Sequence, residues 1–193
     1  MLKGNWNRIF FNNEHPIVLE LGCGKGEYSV ALAKKYPKKN FIGIDIKGAR
    51  LWRGAKTSQE ENLMNVAFIK SYIGFIEHFF AKDEINEIWI TFPDPQPRMK
   101  QVKKRLTSPR FLSHYKNIMQ SGGIIHLKTD NVELFDFTLR EVERNDYELL
   151  ESTKDLYESN PEGEAAEVQT FYEHMFLKKG MKINYLKFRL GKG

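Results

Sequence analysis

The sequence predicts an α/β protein built on a seven-stranded, mostly parallel sheet, with helices on both faces and an antiparallel C-terminal strand. Three observations carry that reading. Short apolar, β-branched runs alternate with stretches of helical periodicity from Ile17 to Ser152, as expected for strands joined by crossover helices. A glycine-rich turn links the first such run to the first helical stretch. After Ser152 the alternation breaks, and the chain closes on a run with a two-residue period. The 193 residues fit a single domain, 1–193, with enough chain for a sizeable core.

Strands are expected at Ile17–Leu21, Phe41–Ile46, Val66–Lys70, Glu87–Phe92, Ile124–Lys128 and Tyr147–Ser152, each short and rich in branched or aromatic side chains. The helical patterns fall at Glu27–Tyr36, Gly48–Glu61, Gly74–Phe80, Ser108–Met119 and Val132–Arg144. A polar loop, Ser159-Asn160-Pro161-Glu162-Gly163, precedes a helix from about Ala166 to Lys179, which Gly180 is placed to stop. The closing run Ile183–Leu190 alternates apolar and polar residues, as a half-exposed edge strand does. In sheets of this kind ligands bind beyond the C-terminal strand ends, near the switch in strand order.

Composition excludes several classes. The longest apolar runs, such as Ile17–Leu21 and Ile88–Phe92, are far short of the ~20 residues of a membrane helix. Met1–Phe11 has no signal-peptide core. A single cysteine, Cys23, rules out an internal disulfide, and the five histidines show no ligand spacing. A cytoplasmic protein with no membrane and no metal partner is expected. The net charge is +5, but its distribution says more. Six basic residues and no acid lie between Arg98 and Arg110, and six more between Lys178 and the end, whereas Glu141–Glu167 carries ten acids. Such segregation favours a basic surface for phosphates over plain solvated faces.

The first strand runs into Glu20-Leu21-Gly22-Cys23-Gly24-Lys25-Gly26-Glu27. The spacing is G-x-G-x-G, whereas the dinucleotide fingerprint is G-x-G-x-x-G. Glu20 would repel a pyrophosphate and suits a cationic ligand, such as the amino group and sulfonium of S-adenosyl-L-methionine. Asp45 ends the second strand, where a carboxylate can accept both ribose hydroxyls or, more simply, cap a helix. The fourth strand ends in Phe92-Pro93-Asp94-Pro95-Gln96-Pro97-Arg98, prolines holding Asp94 in a stiff turn that opens the basic run.

These motifs, with Leu127-Lys128-Thr129-Asp130-Asn131 and Thr170-Phe171-Tyr172-Glu173, make the chain resemble the bacterial tRNA (guanine-N7-)-methyltransferases, Rossmann-like class I methyltransferases that use S-adenosyl-L-methionine. The resemblance covers Ile17 to Leu190. It implies methyl transfer to N7 of the guanosine at position 46 of the tRNA variable loop, by a monomer or homodimer. It implies a cofactor site of Glu20, Gly22, Gly24, Asp45, Tyr72 and Asp94. Catalysis would rest on Asp94 and Asp130, and substrate contact on Arg98, Asp130, Thr170 and Glu173. Three positions depart from the family pattern: Tyr72 stands where a third cofactor acid is usual, Arg98 replaces a lysine, and Gln96 replaces an aromatic. Family members often have a longer segment before the first strand, so part of the tRNA contact is expected to be missing. Alternatives stay open at this point: a methyltransferase for another RNA target, a catalytically impaired tRNA-binding module, or a nicotinamide-dependent dehydrogenase. Asp130 also has a plain role available, capping the helix that starts near Val132.

Overall fold

The computed structural model describes residues 1–191. One sheet organises the molecule: β1 (Ile17–Leu21), β2 (Asn40–Asp45), β3 (Val66–Lys70), β4 (Ile85–Thr91), β5 (Met119–Thr129), β6 (Glu148–Thr153) and β7 (Asn184–Arg189), in the order β3-β2-β1-β4-β5-β7-β6. Six strands point one way and β7 runs against its neighbours β5 and β6. β1 and β2 are buried along their whole length, because helices cover both faces of a parallel sheet.

Alternate side chains feed two cores. Leu19 and Leu21 of β1 join the core under α3 (Pro109–Ile118) and α4 (Val132–Arg144), which a π-helical turn at Trp6–Phe11 and a 3-10 turn at Ile73–His78 complete. Val18 faces the other core, beneath α1 (Glu27–Lys35). There α2 (Gly48–Glu60) packs on α1 and β3, and the short helices α5 (Leu156–Ser159), α6 (Glu164–Glu167) and α7 (Phe171–Lys178) close the far end.

The sheet and its antiparallel last strand match the fold class expected from the sequence. Three local expectations are corrected. The run Ile183–Leu190 is not an edge: β7 lies between β5 and β6, with Tyr185, Leu186 and Phe188 buried, and β6 is the edge. Its polar positions look solvent-facing in sequence, yet Arg189 pairs with Glu148 of β6 at 2.8 Å. The helix expected from Ala166 to Lys179 is broken in two. Thr170 accepts the Glu173 N–H, and the Glu173 carboxylate accepts the Thr170 N–H, a capping box that restarts the helix at Phe171. Gly74–Phe80 is a 3-10 turn rather than an α-helix, and a second one, Met99–Lys104, lies inside the basic run.

Candidate active site at the switch point of the sheet

Strand order reverses between β1 and β4, and the glycine turn leaves β1 there. Gly22, Gly24 and Gly26 all have positive φ. A Cβ on Gly24 would meet nothing within 4 Å, so this backbone faces open space, whereas one on Gly26 would strike the Phe68 ring. Glu20 lies beneath the turn, buried. Its carboxylate accepts the backbone N–H and hydroxyl of Ser29 (3.0 and 2.5 Å) and the Thr91 hydroxyl (2.9 Å), tying β1, α1 and β4 together. Burial pushes its pKa up to about 7, against the lowering effect of those hydrogen bonds. Cys23 is buried in the turn, and burial raises its thiol far above the range of a nucleophile.

Asp45, at the end of β2, accepts the N–H of Gly24 at 2.9 Å and of Lys47 at 2.8 Å. The expected cofactor acid is thus bonded directly to the expected cofactor turn. Tyr72 stands just past β3, exposed, its ring edge-on to Phe75 and Phe111.

β4 and β5 run side by side, with Thr91 opposite Lys128, so Asp94 and Asp130 leave adjacent strand ends. Phe92 (φ 47) and Gln96 (φ 46) hold left-handed backbone conformations, unfavourable for such side chains. Between them Asp94 is exposed and accepts the Gln96 N–H at 3.0 Å. Arg105 secures this turn. It is buried, donates to the carbonyls of Pro95 (3.0 Å) and Gln96 (3.3 Å), and lies over the Phe137 ring. The basic run therefore supplies one inward-turned cation, while Arg98, Lys100, Lys103 and Lys104 remain exposed.

Asn131, not Asp130, caps α4, accepting the Leu134 N–H at 2.7 Å. Asp130 is half-buried and makes no hydrogen bond or ion pair among the described residues. Lys128, two positions earlier, is fully buried and donates to the carbonyls of Ala165 and Val168 and to Glu173. Glu173 is also fully buried and accepts from the Tyr157 hydroxyl at 2.7 Å. Its carboxylate thus sits behind the wall of the site, while Thr170, Phe171 and Tyr172 form the wall itself.

A cavity of about 130 Å³ lies between the glycine turn, Thr91, Phe92 and this wall. Lys25 and Phe171 meet across it, ammonium 5.6 Å from the ring centroid. Tyr28 lines it too, and its buried hydroxyl has no hydrogen-bond partner. Of the expected site residues, Glu20, Gly22, Gly24 and Thr170 line the cavity directly. Asp45 is attached through Gly24, and Glu173 supports the wall. Asp94, Asp130 and Arg98 stand on the loops just outside, and Tyr72 lies apart beyond β3. Sequence reasoning gave Tyr28 no role, quoted Lys128 only as part of a motif and counted Arg105 only within the basic run. Lys128 carried a signal, being the one charged residue in the apolar strand Ile124–Lys128. Of the second basic cluster, Lys182 pairs with Asp155 and Arg189 with Glu148, and Lys192 lies outside the described residues.

Elsewhere, Glu87, His126 and Glu164 bring ligand atoms within 4.8 Å of one another. The Lys39 ammonium is 2.9 Å from Glu87 and 3.5 Å from Glu164, and so serves as the cation of that group.

The family model described as "Putative methyltransferase" matches residues 14–186. The chain is 54% identical to the tRNA (guanine-N(7)-)-methyltransferase of Christiangramia forsetii, over 98% of this chain and 85% of the relative. It is 53% identical to the enzyme of that name from Porphyromonas gingivalis, over 98% and 78%, and 41% identical to that of Clostridium novyi, over 96% and 85%. Among solved structures, the 16S rRNA methyltransferase KamB superposes with a TM-score of 0.71 at 11% identity, covering 96% of this chain and 92% of the other. A structure titled as an antibiotic related methyltransferase gives 0.69 at 16% identity, covering 97% and 94%. At those identities the likeness is one of fold, the class I methyltransferase sheet with its switch point between the first and fourth strands. The sequence relatives go further, and the chain belongs to the tRNA (guanine-N7-)-methyltransferase family.

Proposed function

We propose that the protein transfers a methyl group from S-adenosyl-L-methionine to N7 of the guanosine at position 46 in the variable loop of tRNA, in the cytoplasm, as a single domain. The observation that carries this reading is the set of four acids, Glu20, Asp45, Asp94 and Asp130, at neighbouring C-terminal strand ends around an open glycine turn.

The residues present fit the cofactor. Gly24 leaves open space, and Glu20 beneath the turn becomes an anionic floor for a cationic ligand once its proton is released. Asp45, already bonded to two backbone N–H groups, keeps lone pairs for ribose hydroxyls. The cavity is smaller than the roughly 300 Å³ of small ligand sites and is partly open to solvent. Tyr72 offers an aromatic edge where the family has an acid.

When bound, the cofactor supplies an electrophilic methyl on a positive sulfur. Guanine N7 carries a lone pair and no proton, so no side chain has to act as a base. The work left to the protein is positioning and stabilising the cationic product ring. Asp94 and Asp130 suit that role, and Asp130, without a partner of its own, is free to accept from guanine N1–H and N2–H₂. Thr170 lines the wall, and Glu173 acts on the substrate side by holding that wall through its capping box and Lys128. Arg98 and the exposed lysines after it take the tRNA backbone, positioning it without reading sequence.

The test is methyl transfer from labelled S-adenosyl-L-methionine to unmodified tRNA and to a transcript with adenosine at position 46. Label on the first alone, cleaved by the aniline chemistry specific to 7-methylguanosine, is the expected result. Label on both transcripts overturns the site, and label on neither overturns the activity.

A further inference from the structure

The basic residues of α2 belong to none of the active-site motifs. From Lys47 to Ser58 the chain carries Lys47, Arg50, Arg53 and Lys56 and no acid. The helix buries Leu51, Gly54 and Ser58. Trp52 and Arg53 are exposed on the opposite side, and Arg50 is exposed on the flank that meets the cavity. Lys56 pairs with Glu60 at 3.6 Å, but Arg50 and Arg53 have no ion pair among the described residues. A merely solvated helix face mixes both signs in i,i+4 pairs, and this one does so only at its last turn.

Trp52 is the second observation. The chain has three tryptophans. Trp6 and Trp89 are buried, and their indole N–H groups donate to Phe79 O and to Glu87. Trp52 is 61% exposed and its N–H has no acceptor among the described residues. The Lys56 ammonium lies 5.2 Å from its ring centroid, a cation set against an aromatic face. Arg50 lines the cavity of the active site alongside Phe171 and Tyr172, themselves exposed aromatics. The patch is therefore continuous with the mouth of the site, on the side away from Arg98–Lys104.

Unpaired cations interleaved with an exposed aromatic are the pattern by which proteins hold unpaired nucleotides, the cations on phosphates and the ring under a base. We propose that the outer face of α2 is a second RNA-binding surface, with Arg53 on the phosphate backbone and Trp52 stacking on an unpaired base next to the methylated nucleotide. This rests on tRNA being the substrate. The RNA is then gripped on both banks of the cleft, and the target nucleotide is presented from between them.

The experiment compares wild type, Trp52→Ala, Trp52→Phe and Arg53→Glu for binding of unmodified tRNA at several salt concentrations, with S-adenosyl-L-homocysteine binding measured in parallel. Trp52→Ala and Arg53→Glu are expected to weaken tRNA binding about tenfold, Trp52→Phe to restore most of it, and cofactor-product affinity to stay unchanged. Arg53→Glu should also lower the log–log salt slope by roughly 0.7–0.9, the share of a single neutralised phosphate. Wild-type tryptophan emission should be quenched by tRNA, and that quenching should vanish in Trp52→Phe. A wild type that binds and methylates tRNA, with variants whose affinity and salt slope match it, overturns this surface and leaves the activity standing. A wild type that neither binds nor methylates tRNA overturns both.

Discussion

If Glu20 meets the cofactor as proposed, one buried carboxyl couples stability to ligand binding. Burial raises its folded pKa to about 7, so the folded protein keeps a proton that the unfolded chain has lost. The free protein's stability is therefore expected to fall as pH rises from about 4.5 to about 7, and to level off above that. Affinity for a cationic cofactor runs the other way, because the cation needs the carboxylate. Calorimetry should show binding weakening below about pH 7, approaching one log unit per pH unit, with a proton released on binding. Glu20→Gln should bind more weakly and lose that slope; a variant with the wild-type profile would assign the titration elsewhere. Asp130→Asn makes the complementary prediction: a drop of roughly 100-fold in kcat/KM on tRNA with cofactor affinity unchanged. An enzyme that keeps full kcat/KM would remove Asp130 from guanine recognition. The placement of Glu20, Asp45 and the glycines was legible in the sequence because it is local, an acid or a turn at a strand end. Tyr28 was not, because an aromatic in a first helical turn reads as core, and only the fold sets it against the cavity.

Segments of chain are held in place by single buried cations. Arg105 fixes the Pro-Asp-Pro turn through two carbonyls, so its charge is used inside the protein. Arg105→Ala should lower kcat by more than tenfold while leaving the salt dependence of tRNA binding almost unchanged. Lys103→Ala should do the reverse, and a large change of salt slope in Arg105→Ala would return that residue to the RNA surface. Lys128 is the second anchor, joining β5 to the loop before α7 and to Glu173. Desolvation lowers its pKa and the Glu173 carboxylate opposes that, the balance of a buried pair. Removing one partner leaves an uncompensated charge, so Lys128→Met should cost about 3–5 kcal/mol in urea unfolding and expose residues 164–172 to protease. A loss under 1 kcal/mol would show that the packing around the pair carries the segment instead. The same pair explains why the stretch Ala166 to Lys179, read as one helix from the sequence, is two. Hydrophobic periodicity continues through Thr170, but the capping box and the Lys128 contacts stop and restart the backbone, and Lys128 is 42 positions away from Thr170 in sequence.

Across the whole molecule, charge is sorted by bank. Arg98, Lys100, Lys103 and Lys104 lie on one side of the cleft and the bases of α2 on the other, with the acids of the proposed cofactor site between. The first group was visible as a run of like charges. The second was not, because Arg50, Arg53 and Lys56 stand three apart with apolar and small residues between them, and only a helix gathers them on one surface. Strand number and direction were legible from periodicity. The lateral order was not, since nothing in the run Ile183–Leu190 states that its neighbour is β5 as well as β6. That insertion bears on how the protein is made. β7 leaves the ribosome after both strands it pairs with, and among the described residues it is the only neighbour of β6; its Asn184 side chain donates to Thr129 O beside Asp130. The nascent chain can pair β1 to β5 while still tethered, whereas β6 must wait, unpaired, for residues 184–189 to emerge. A polypeptide arrested before Asn184 should therefore display the glycine turn and all four acids but stay protease-sensitive after Arg144, and the cleft should mature only once residues 184–189 are free to pair.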